Sequence, residues 1–376
     1  MGFLVDRLGI RLLLLMGATI PVPAPAEVVR ALTEVRVVRH AGGRDGFTLT
    51  FSIGKDKSLD YALTAAGATG VLNRVVIVAL LGAVPDVLID GVITLQQHIP
   101  DQEPGRSRLV VTGTDLMTLL DLEEKNAEFP AMPDFAIVQR ILAGYPALAL
   151  APVTVPTSEI PIPFERIPRQ AETDLAFIHR LAHRNGYVFY IDSLSVLANT
   201  AYFGPETRLG LPQPALSMDS GMGSNVASLS FTQDGLAPVA PSGTFFEPIT
   251  KTVLPIPPLP SLRIPPLSSS PTPAARKVLL RDAGNKSPGL ALSASVSAVS
   301  TAPPSVTGTG QVDTAHYGSV LHIRRPVGVR GAGRTYDGLY YVQRVTHQID
   351  VRHSKYTQDF TLTREGTGSL LPAVPP

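Results

Sequence analysis

The chain has no cysteine and no tryptophan among its 376 residues. Without cysteine, it forms neither a disulfide framework nor a thiolate metal site. Charged residues are scarce as well, at 17%, and basic and acidic groups nearly cancel to a formal net charge of +1. This balance provides no basic surface that would attract nucleic acid or an anionic membrane, so we expect no nucleic-acid partner.

No apolar run is long enough to span a bilayer, and we expect no direct membrane insertion. The apolar run 12–20 follows two arginines and precedes Ala24-Pro25-Ala26, which is the outline of a secretory signal peptide. Against that outline, Asp6 lies in the segment that should be positive. Two interpretations stay open: an exported β-rich binding protein with a cleaved N-terminus, and an N-terminal arm, 1–27, that packs on a partner or on the chain's own first domain.

Glycine and proline are plentiful, with 32 and 35 residues, which is typical of a β-rich chain with many turns. The first β region is 28–114. It contains a strand-like segment at 28–39, a glycine-rich turn at 42–46, and a segment at 47–53 that alternates strictly between apolar and polar residues. Three further strand-like segments follow, at 73–81, 87–97 and 106–113. A closed or nearly closed small barrel would bury these strands and remove their free edges.

Residues 115–192 predict a small α/β domain. Thr114-Asp115 can cap a helix over 116–125, and Asp134 can cap a second helix over 135–143. The prolines between 152 and 168 favour extended backbone.

A third helix of this domain carries the clearest local signals. Thr173 and Asp174 are good N-cap residues, and Asn185-Gly186 supplies a left-handed stop before a strand at 187–191. One face of the helix is apolar, formed by Leu175, Ile178, Leu181 and Ala182.

The second β region comprises 193–235 and 311–366. Its first part contains three strand-like segments, at 200–203, 215–218 and 226–233. Its second part predicts a strand over 318–325, a turn at 331–338, and a hairpin formed by 339–350 and 356–364.

The Pro-rich insertion 236–310 separates the two parts of this region, and 367–376 forms a tail. Prolines cannot donate ladder hydrogen bonds and favour polyproline II, so we expect the insertion to be extended. Apolar residues between the prolines favour a strap that lies on another surface, on this chain or across a neighbouring subunit, over a mobile loop.

Three stretches together resemble the tail-hub family, which includes phage late-control D proteins, baseplate hubs of contractile-tailed phages and the hub half of the type VI spike VgrG. The first is the central helix and strand, with E-T-D, F-I-H-R-L-A and G-Y-V-F-Y-I within 172–191. The second is M-G-A-T-I-P-V-P-A-P at 16–25, which is similar to the opening of hubs from extracellular contractile injection systems. The third comprises G-L-Y-Y-V-Q-R-V-T-H at 338–347 and K-Y-T-Q-D-F-T-L-T-R-E-G at 355–366.

The resemblance implies a mainly β chain with a small α/β insertion and two tube-like β-barrel domains. As a homotrimer, such a chain would present six barrels in a pseudo-sixfold ring, adapting a sixfold tail tube to a threefold central spike. The implied partners are a tail tube or tube-initiator protein above, a spike protein below and the baseplate wedge proteins. VgrG continues into a spike, whereas this sequence stops soon after the hub signature, so we expect the spike to be a separate polypeptide. The implied location is a phage tail-like particle assembled in the cytoplasm without a signal peptide.

Enzymatic alternatives find little support in the sequence. His179 and His183 have the i, i+4 spacing of a metal pair, which leaves a metal-dependent hydrolase as a third hypothesis, but Arg180 occupies the position where zincins have glutamate. Carboxylates that a glycosidase would need are present only on predicted helix surfaces: Asp121, Glu123, Glu124 and Asp174. There is no G-x-S-x-G motif, and the glycine-rich turns lack the setting of a phosphate loop. We therefore expect no catalytic residue, cofactor or metal site.

Overall fold

The computed structural model describes most of the chain. The described residues are 3–4, 10–17, 21–54, 67–81, 84–103, 106–157, 159, 161, 167–196, 198–219, 221–247, 250–257, 259–285 and 288–370. Most of the predicted tail, 371–376, lies outside them. Among the described residues, no helix has the length and apolar character needed to cross a membrane.

In its described residues, the N-terminal β unit contains one short helix and eight strands. Helix α1 is Ala26–Ala31, and the strands are β1 (Phe3–Leu4), β2 (Ile10–Gly17), β3 (Val22–Pro23), β4 (Leu32–His40), β5 (Gly46–Ser52), β6 (Arg74–Leu81), β7 (Val84–Ile99) and β8 (Arg108–Asp115). The prediction of a strand over all of 28–39 is therefore wrong at its start. Glu27 in the first turn and Arg30 in the last complement the dipole of α1, and Arg30 also donates to the Ala26 carbonyl.

Strand β2 belongs to the core of this unit. It pairs antiparallel with β6 along its whole length, from Ile10 opposite Leu81 to Gly17 opposite Arg74. Alternate side chains of β2 enter the main hydrophobic cluster: Leu12, Leu14 and Met16. The N-terminal segment thus packs on the chain's own first domain, as one of the two interpretations expected.

Two helices and five strands lie in the part of the middle domain that the structure describes. Its elements are β9 (Glu124–Glu128), α2 (Asp134–Leu142), β10 (Leu150–Thr154), β11 (Arg169–Thr173), α3 (Asp174–Asn185), β12 (Val188–Ser195) and β13 (Ala198–Gly204), with single 3-10 turns at Leu116–Leu120 and Pro146–Leu148. The predicted limits of α3 are confirmed: Thr173 Oγ1 accepts from the Ala176 N–H at 3.2 Å, and Gly186 is left-handed with φ 68°.

Two predictions in this domain are wrong. The helix over 116–125 is only the 3-10 turn, because the chain turns at Asp121 and Glu124–Glu128 then pairs with β11. Asp134 does not cap α2. Pro133 stands at the N-cap, while the Asp134 carboxylate binds Arg184 and Asn185 of α3.

The C-terminal part contains twelve strands and two helices among the described residues. They are β14 (Gln213–Ser217), β15 (Ser228–Gln233), β16 (Val239–Ser242), β17 (Thr244–Glu247), β18 (Thr252–Pro255), β19 (Ser270–Pro271), β20 (Arg276–Leu279), α4 (Pro288–Ser300), β21 (Val306–Asp313), α5 (Thr314–Tyr317), β22 (Pro326–Arg330), β23 (Gly338–Asp350), β24 (Lys355–Arg364) and β25 (Gly366–Thr367).

The predicted hairpin at 339–364 is confirmed as β23 and β24, but the strand predicted over 318–325 is wrong. That segment is irregular because side chains satisfy its backbone. The Leu321 N–H donates to Gln358 Oε1 and the His322 N–H donates to Gln213 Oε1, both at 2.7 Å. The strand begins only at Pro326.

The insertion 236–310 is more regular than the sequence predicts. Among its described residues, three short strand pairings occur: β16 with β20, β17 with β18, and β19 with β25. The stretch near its end has a single proline, Pro288, at its start and forms α4, which buries Ala291 and Ser295. The strap lies on this chain. Strand β19 pairs with β25, and Ser297 of α4 donates to the His183 carbonyl at the end of α3.

One large sheet joins the two β regions, and the mainly β architecture is confirmed. Its strand path is β1-β2-β6-β7-β8-β5-β4-β23-β24-β21-β15, with β22 beside β23 and β14 beside β22. Among the described residues this path is open at both ends, so neither region closes into a barrel by itself. The long strand β23 is shared between the units: its start pairs with β22 and its end pairs with β4 of the other unit.

Candidate functional site

The two β units are structural repeats of each other. Five strands of the N-terminal unit have the order β6-β7-β8-β5-β4, and five of the C-terminal unit have the order β22-β23-β24-β21-β15. When the five strands of each unit are numbered along the chain, both units have the same order across the sheet: third, fourth, fifth, second, first. The longest strand of each unit also has a bulge at the same register, after Ile93 in β7 and after Val342 in β23.

A shared backbone irregularity supports this equivalence. Leu72 and Arg324 both have left-handed backbone, with φ 66° and 63°. Each donates its N–H to the residue before the bulge: Leu72 to the Ile93 carbonyl at 2.8 Å, and Arg324 to the Val342 carbonyl at 3.0 Å. Left-handed backbone at residues other than glycine is uncommon, so the same irregularity at the same register indicates one repeated substructure.

The repeats meet where β4 pairs antiparallel with the second half of β23. Seven residue pairs form this interdomain junction, from Arg344 opposite His40 to Asp350 opposite Glu34. On its buried face, Val35 and Val37 are fully covered. The junction therefore continues one sheet across two repeats, with both backbone hydrogen bonds and apolar burial.

Arg39 ties this junction to the middle domain. Its Nε donates to Asp45 at 3.0 Å, and its Nη2 donates to Asp192 of β12 at 2.7 Å. Burial opposes ionisation of Asp192, but the neighbouring guanidinium groups outweigh it and lower the pKa of this carboxyl. Arg39 is itself buried, so Asp192 supplies charge compensation that the interior requires.

Arg324 completes the contact from the C-terminal unit. Its guanidinium lies 3.8 Å from the centre of the Tyr190 ring and donates to the backbone carbonyls of His40 and Ala41 at 3.1 and 3.2 Å. Its Nη1 is 3.8 Å from Asp192. The cluster of Arg39, Asp192 and Arg324 thus joins all three parts of the chain.

A second buried pair joins the first repeat to the middle domain. Arg74 binds Asp90 with two hydrogen bonds, at 2.8 and 2.6 Å. Asn199 of β13 donates to the same carboxylate at 3.3 Å. A bidentate geometry of this kind fixes orientation as well as distance.

His347 is buried in the junction, on β23 opposite Val37. Its Nδ1 lies 2.9 Å from the hydroxyl of Tyr356. Burial, together with the positive charge of Arg39, lowers the pKa of His347 to about 3. The ring is therefore neutral at physiological pH and shares a hydrogen bond with the Tyr356 hydroxyl.

Asp115 is a buried carboxyl that binds the backbone of Asp45, the partner of Arg39. It accepts from the Asp45 N–H at 2.8 Å and from the Met117 N–H at 3.1 Å, which caps the 3-10 turn. Burial and the nearby Asp45 charge raise the pKa of Asp115 to about 7. The role of this carboxyl is structural, because both contacts hold backbone turns.

Glu365 anchors the strap to the C-terminal unit. Its carboxylate accepts from the Ser268 N–H at 2.7 Å, from the Leu267 N–H, and from Arg208 at 2.6 Å. Leu267 is buried against Ala41 and Tyr341. The strap therefore packs beside the start of the junction, where Ala41 follows β4 and Tyr341 lies in the first half of β23.

Three of the residues considered for catalysis have structural partners: His179, Asp121 and Asp174. The His179 ring packs edge-on against Phe189, and burial lowers its pKa. Asp121 accepts from Thr173, and Asp174 accepts from Lys125, Tyr145 and Gln170. In the described part of the chain, no group of three histidine, cysteine or acidic side chains could hold a metal ion.

Comparison with known proteins assigns the fold. No family model matches the sequence, and no curated protein matches it. Solved structures do match over nearly the whole chain, and they are phage tail proteins and related type VI secretion proteins.

Three of these structures show the extent of the likeness. The tail protein from Neisseria meningitidis MC58 has a TM-score of 0.60 at 14% identity, covering 96% of this chain and 98% of that one. The 43 kDa tail protein of prophage MuSo2 from Shewanella oneidensis has a TM-score of 0.59 at 11% identity, covering 94% and 98%. The E. coli c3393 protein has a TM-score of 0.55 at 15% identity, covering 92% and 77%. It is described as a component of the type VI secretion system similar to the T4 tail proteins gp27 and gp5.

The chain thus has the fold of phage tail and type VI spike proteins, as the motifs in its sequence indicated. Sequence reasoning missed the junction itself. Arg39 and Asp192 are 153 residues apart, and neither lies in a motif. The only local sign was the unusual combination of charged residues inside apolar strands.

Proposed function

We propose that the chain is the structural hub in the baseplate of a contractile phage-tail-like injection system. In this role, three copies form a ring that matches a sixfold tail tube on one side and a threefold spike on the other. The observation that carries the proposal is the internal repeat: one chain contains the same five-stranded unit twice, with the same bulge and the same left-handed residue.

The repeat supports a symmetry adaptor because three chains with two units each supply six similar units. A sixfold partner can then bind all six units, while a threefold partner binds surfaces that occur once per chain. The middle domain and the strap differ from the repeated units and occur once, so they suit the threefold side.

The interdomain junction supports the same proposal. A hub that transmits a contraction must hold its two units in a fixed relation. The continuous sheet across β4 and β23 and the buried cluster of Arg39, Asp192 and Arg324 provide this rigidity. Neither feature requires catalysis, and we propose no enzymatic activity.

The exported binding protein remains the alternative, and β2 argues against it. Cleavage near Glu27 would remove β1, β2 and β3 from the large sheet and four side chains from its main core: Leu12, Leu14, Met16 and Ala24. We accordingly propose assembly in the cytoplasm with the N-terminal segment retained, in a phage tail-like particle.

The proposal is tested by co-expressing the chain with tube and spike proteins encoded beside it. The expected result is a complex that contains all three proteins, with a ring of three copies between tube and spike in electron micrographs. Purification of the chain without either protein, together with an N-terminus near Glu27, would instead establish the alternative.

A further inference from the structure

The internal repeat predicts which strand edges bind a second copy of the chain. Within one chain, β4 pairs with the end of β23. Each of these elements has an equivalent in the opposite repeat. Strand β15 of the C-terminal unit corresponds to β4, and the end of β7 in the N-terminal unit corresponds to the end of β23. Among the described residues, β15 pairs only with β21, and residues 95–97 of β7 pair only with β8.

Both edges carry exposed apolar side chains. Leu72 and Leu95 at the β7 edge are 52% and 57% exposed, and Leu236 just after β15 is 60% exposed. Exposed edge strands with apolar neighbours are sites of strand addition and are seldom left uncovered.

The inner face of β15 is incompletely covered as well. Leu229 and Phe231 are half-buried, whereas the residues at their positions in β4, Val35 and Val37, are fully buried. Strand β4 has β23 beside it. Strand β15 lacks the equivalent neighbour among the described residues.

We propose that β15 of one copy pairs antiparallel with the end of β7 in a second copy, reproducing between chains the junction that β4 and β23 form within one. This inference rests on the proposed hub function. The intrachain register defines the pairing between chains. Leu95 occupies the position of Arg344 in the repeat and Asp234 that of His40, so the pair Arg344–His40 predicts that Leu95 lies opposite Asp234. It follows that Gln96 lies opposite Gln233 and Gln97 opposite Thr232.

A second copy is the occupant because the two edges are complementary and lie on different repeats. Such a contact is head-to-tail: each chain offers β15 to one neighbour and β7 to the other. A head-to-tail contact either closes into a ring or grows into a filament. Three copies with two equivalent junctions each close the ring after six units, and no free edge of this kind remains.

Engineered cysteines test this pairing directly, because the chain has no cysteine of its own. Two variants place cysteines at facing positions, Q97C with T232C and Q96C with Q233C. Adjacent pairs on antiparallel strands alternate in geometry, so one of the two variants has the closer spacing. The matched control is T346C with V38C, which occupies the same register at the intrachain junction.

The expected result after mild oxidation is a covalent trimer for at least one in-register variant on non-reducing gels. The control should form an intramolecular disulfide without any increase in mass. Co-expressed single variants Q97C and T232C should form mixed dimers, and neither alone should cross-link.

The remaining outcomes overturn the inference. Cross-linking of T232C alone would mean that β15 pairs with another β15. A trimer by native mass that forms no in-register disulfide would overturn the strand pairing but leave the hub function standing. A chain that stays monomeric even with tube and spike proteins would overturn both.

Discussion

Asp192 lies 2.7 Å from Arg39 and 3.8 Å from Arg324, so that one carboxylate of the middle domain faces a guanidinium from each repeat. Both arginines are buried. The contact makes the stability of each part of the chain depend on the others, and it can be tested without any knowledge of partners.

We expect D192N to destabilise the folded chain by about 2–4 kcal/mol, because it removes a shared counter-charge from two buried guanidinium groups and leaves Arg39 with Asp45 alone. The measurement is urea unfolding at neutral pH. The control is E103Q, which removes one member of an exposed pair with Arg106 and should change stability by less than about 1 kcal/mol. Equal effects of the two substitutions would contradict the role assigned to Asp192.

His347 predicts a loss of stability in acid. Its pKa is about 3 in the folded chain against 6.5 for the ordinary side chain, so the unfolded state binds the additional proton between these values. The free energy of unfolding therefore has its full value, as far as His347 is concerned, above pH 6.5 and decreases as the pH falls towards 3. The decrease is at most about 1.4 kcal/mol for each unit by which the two pKa values differ.

The variant H347Q should reduce this pH dependence, although it is less stable at neutral pH because the Tyr356 contact is lost. H353Q is the control for an exposed histidine: it removes only the surface contact with Asp350 and should change the curve less than H347Q does. The curves come from unfolding in urea at a series of pH values. A wild-type slope that persists in H347Q would show that another group is responsible.

Leu14 tests whether the N-terminal segment belongs to the folded protein. It is 1% exposed within the main hydrophobic cluster, so L14A should cost about 2–5 kcal/mol. The less buried neighbour Leu13 provides the control, and L13A should cost clearly less. If the native protein began near Glu27, neither substitution would reach the mature chain and both would be silent.

Glu365 should control the position of the strap. E365A removes the acceptor for the Leu267 and Ser268 N–H groups and for Arg208, so the strap should be cut sooner by protease between 259 and 285. The exposed Glu128 offers a control, because its pair with Arg169 joins β9 to β11 of the middle domain and includes no strap residue. Identical digestion of E365A and E128A would contradict the anchoring role.

Local signals made part of the fold predictable. Helix α3 could be predicted from the cap Thr173 and the stop Gly186, because both act through neighbouring backbone groups. The hairpin of β23 and β24 could be predicted from alternation. In contrast, 318–325 looked like a strand, but two glutamine side chains take the hydrogen bonds that a neighbouring strand would supply.

The candidate site was not predictable because its parts come together only in the folded chain. Arg39, Asp192 and Arg324 belong to three separate regions of the sequence. The repeat was also hidden, since its register is set by backbone pairing and a bulge rather than by identical residues. Leu72 and Arg324 illustrate this: they share a backbone conformation but no side-chain chemistry.

The central claim is that three copies form the hub, and the native mass of the purified chain tests it most directly. Light scattering would be measured for the chain alone and again with the spike protein. The account predicts a species near three times 40.0 kDa, at the latest when the spike is present. A chain that remains at 40.0 kDa under both conditions would contradict it.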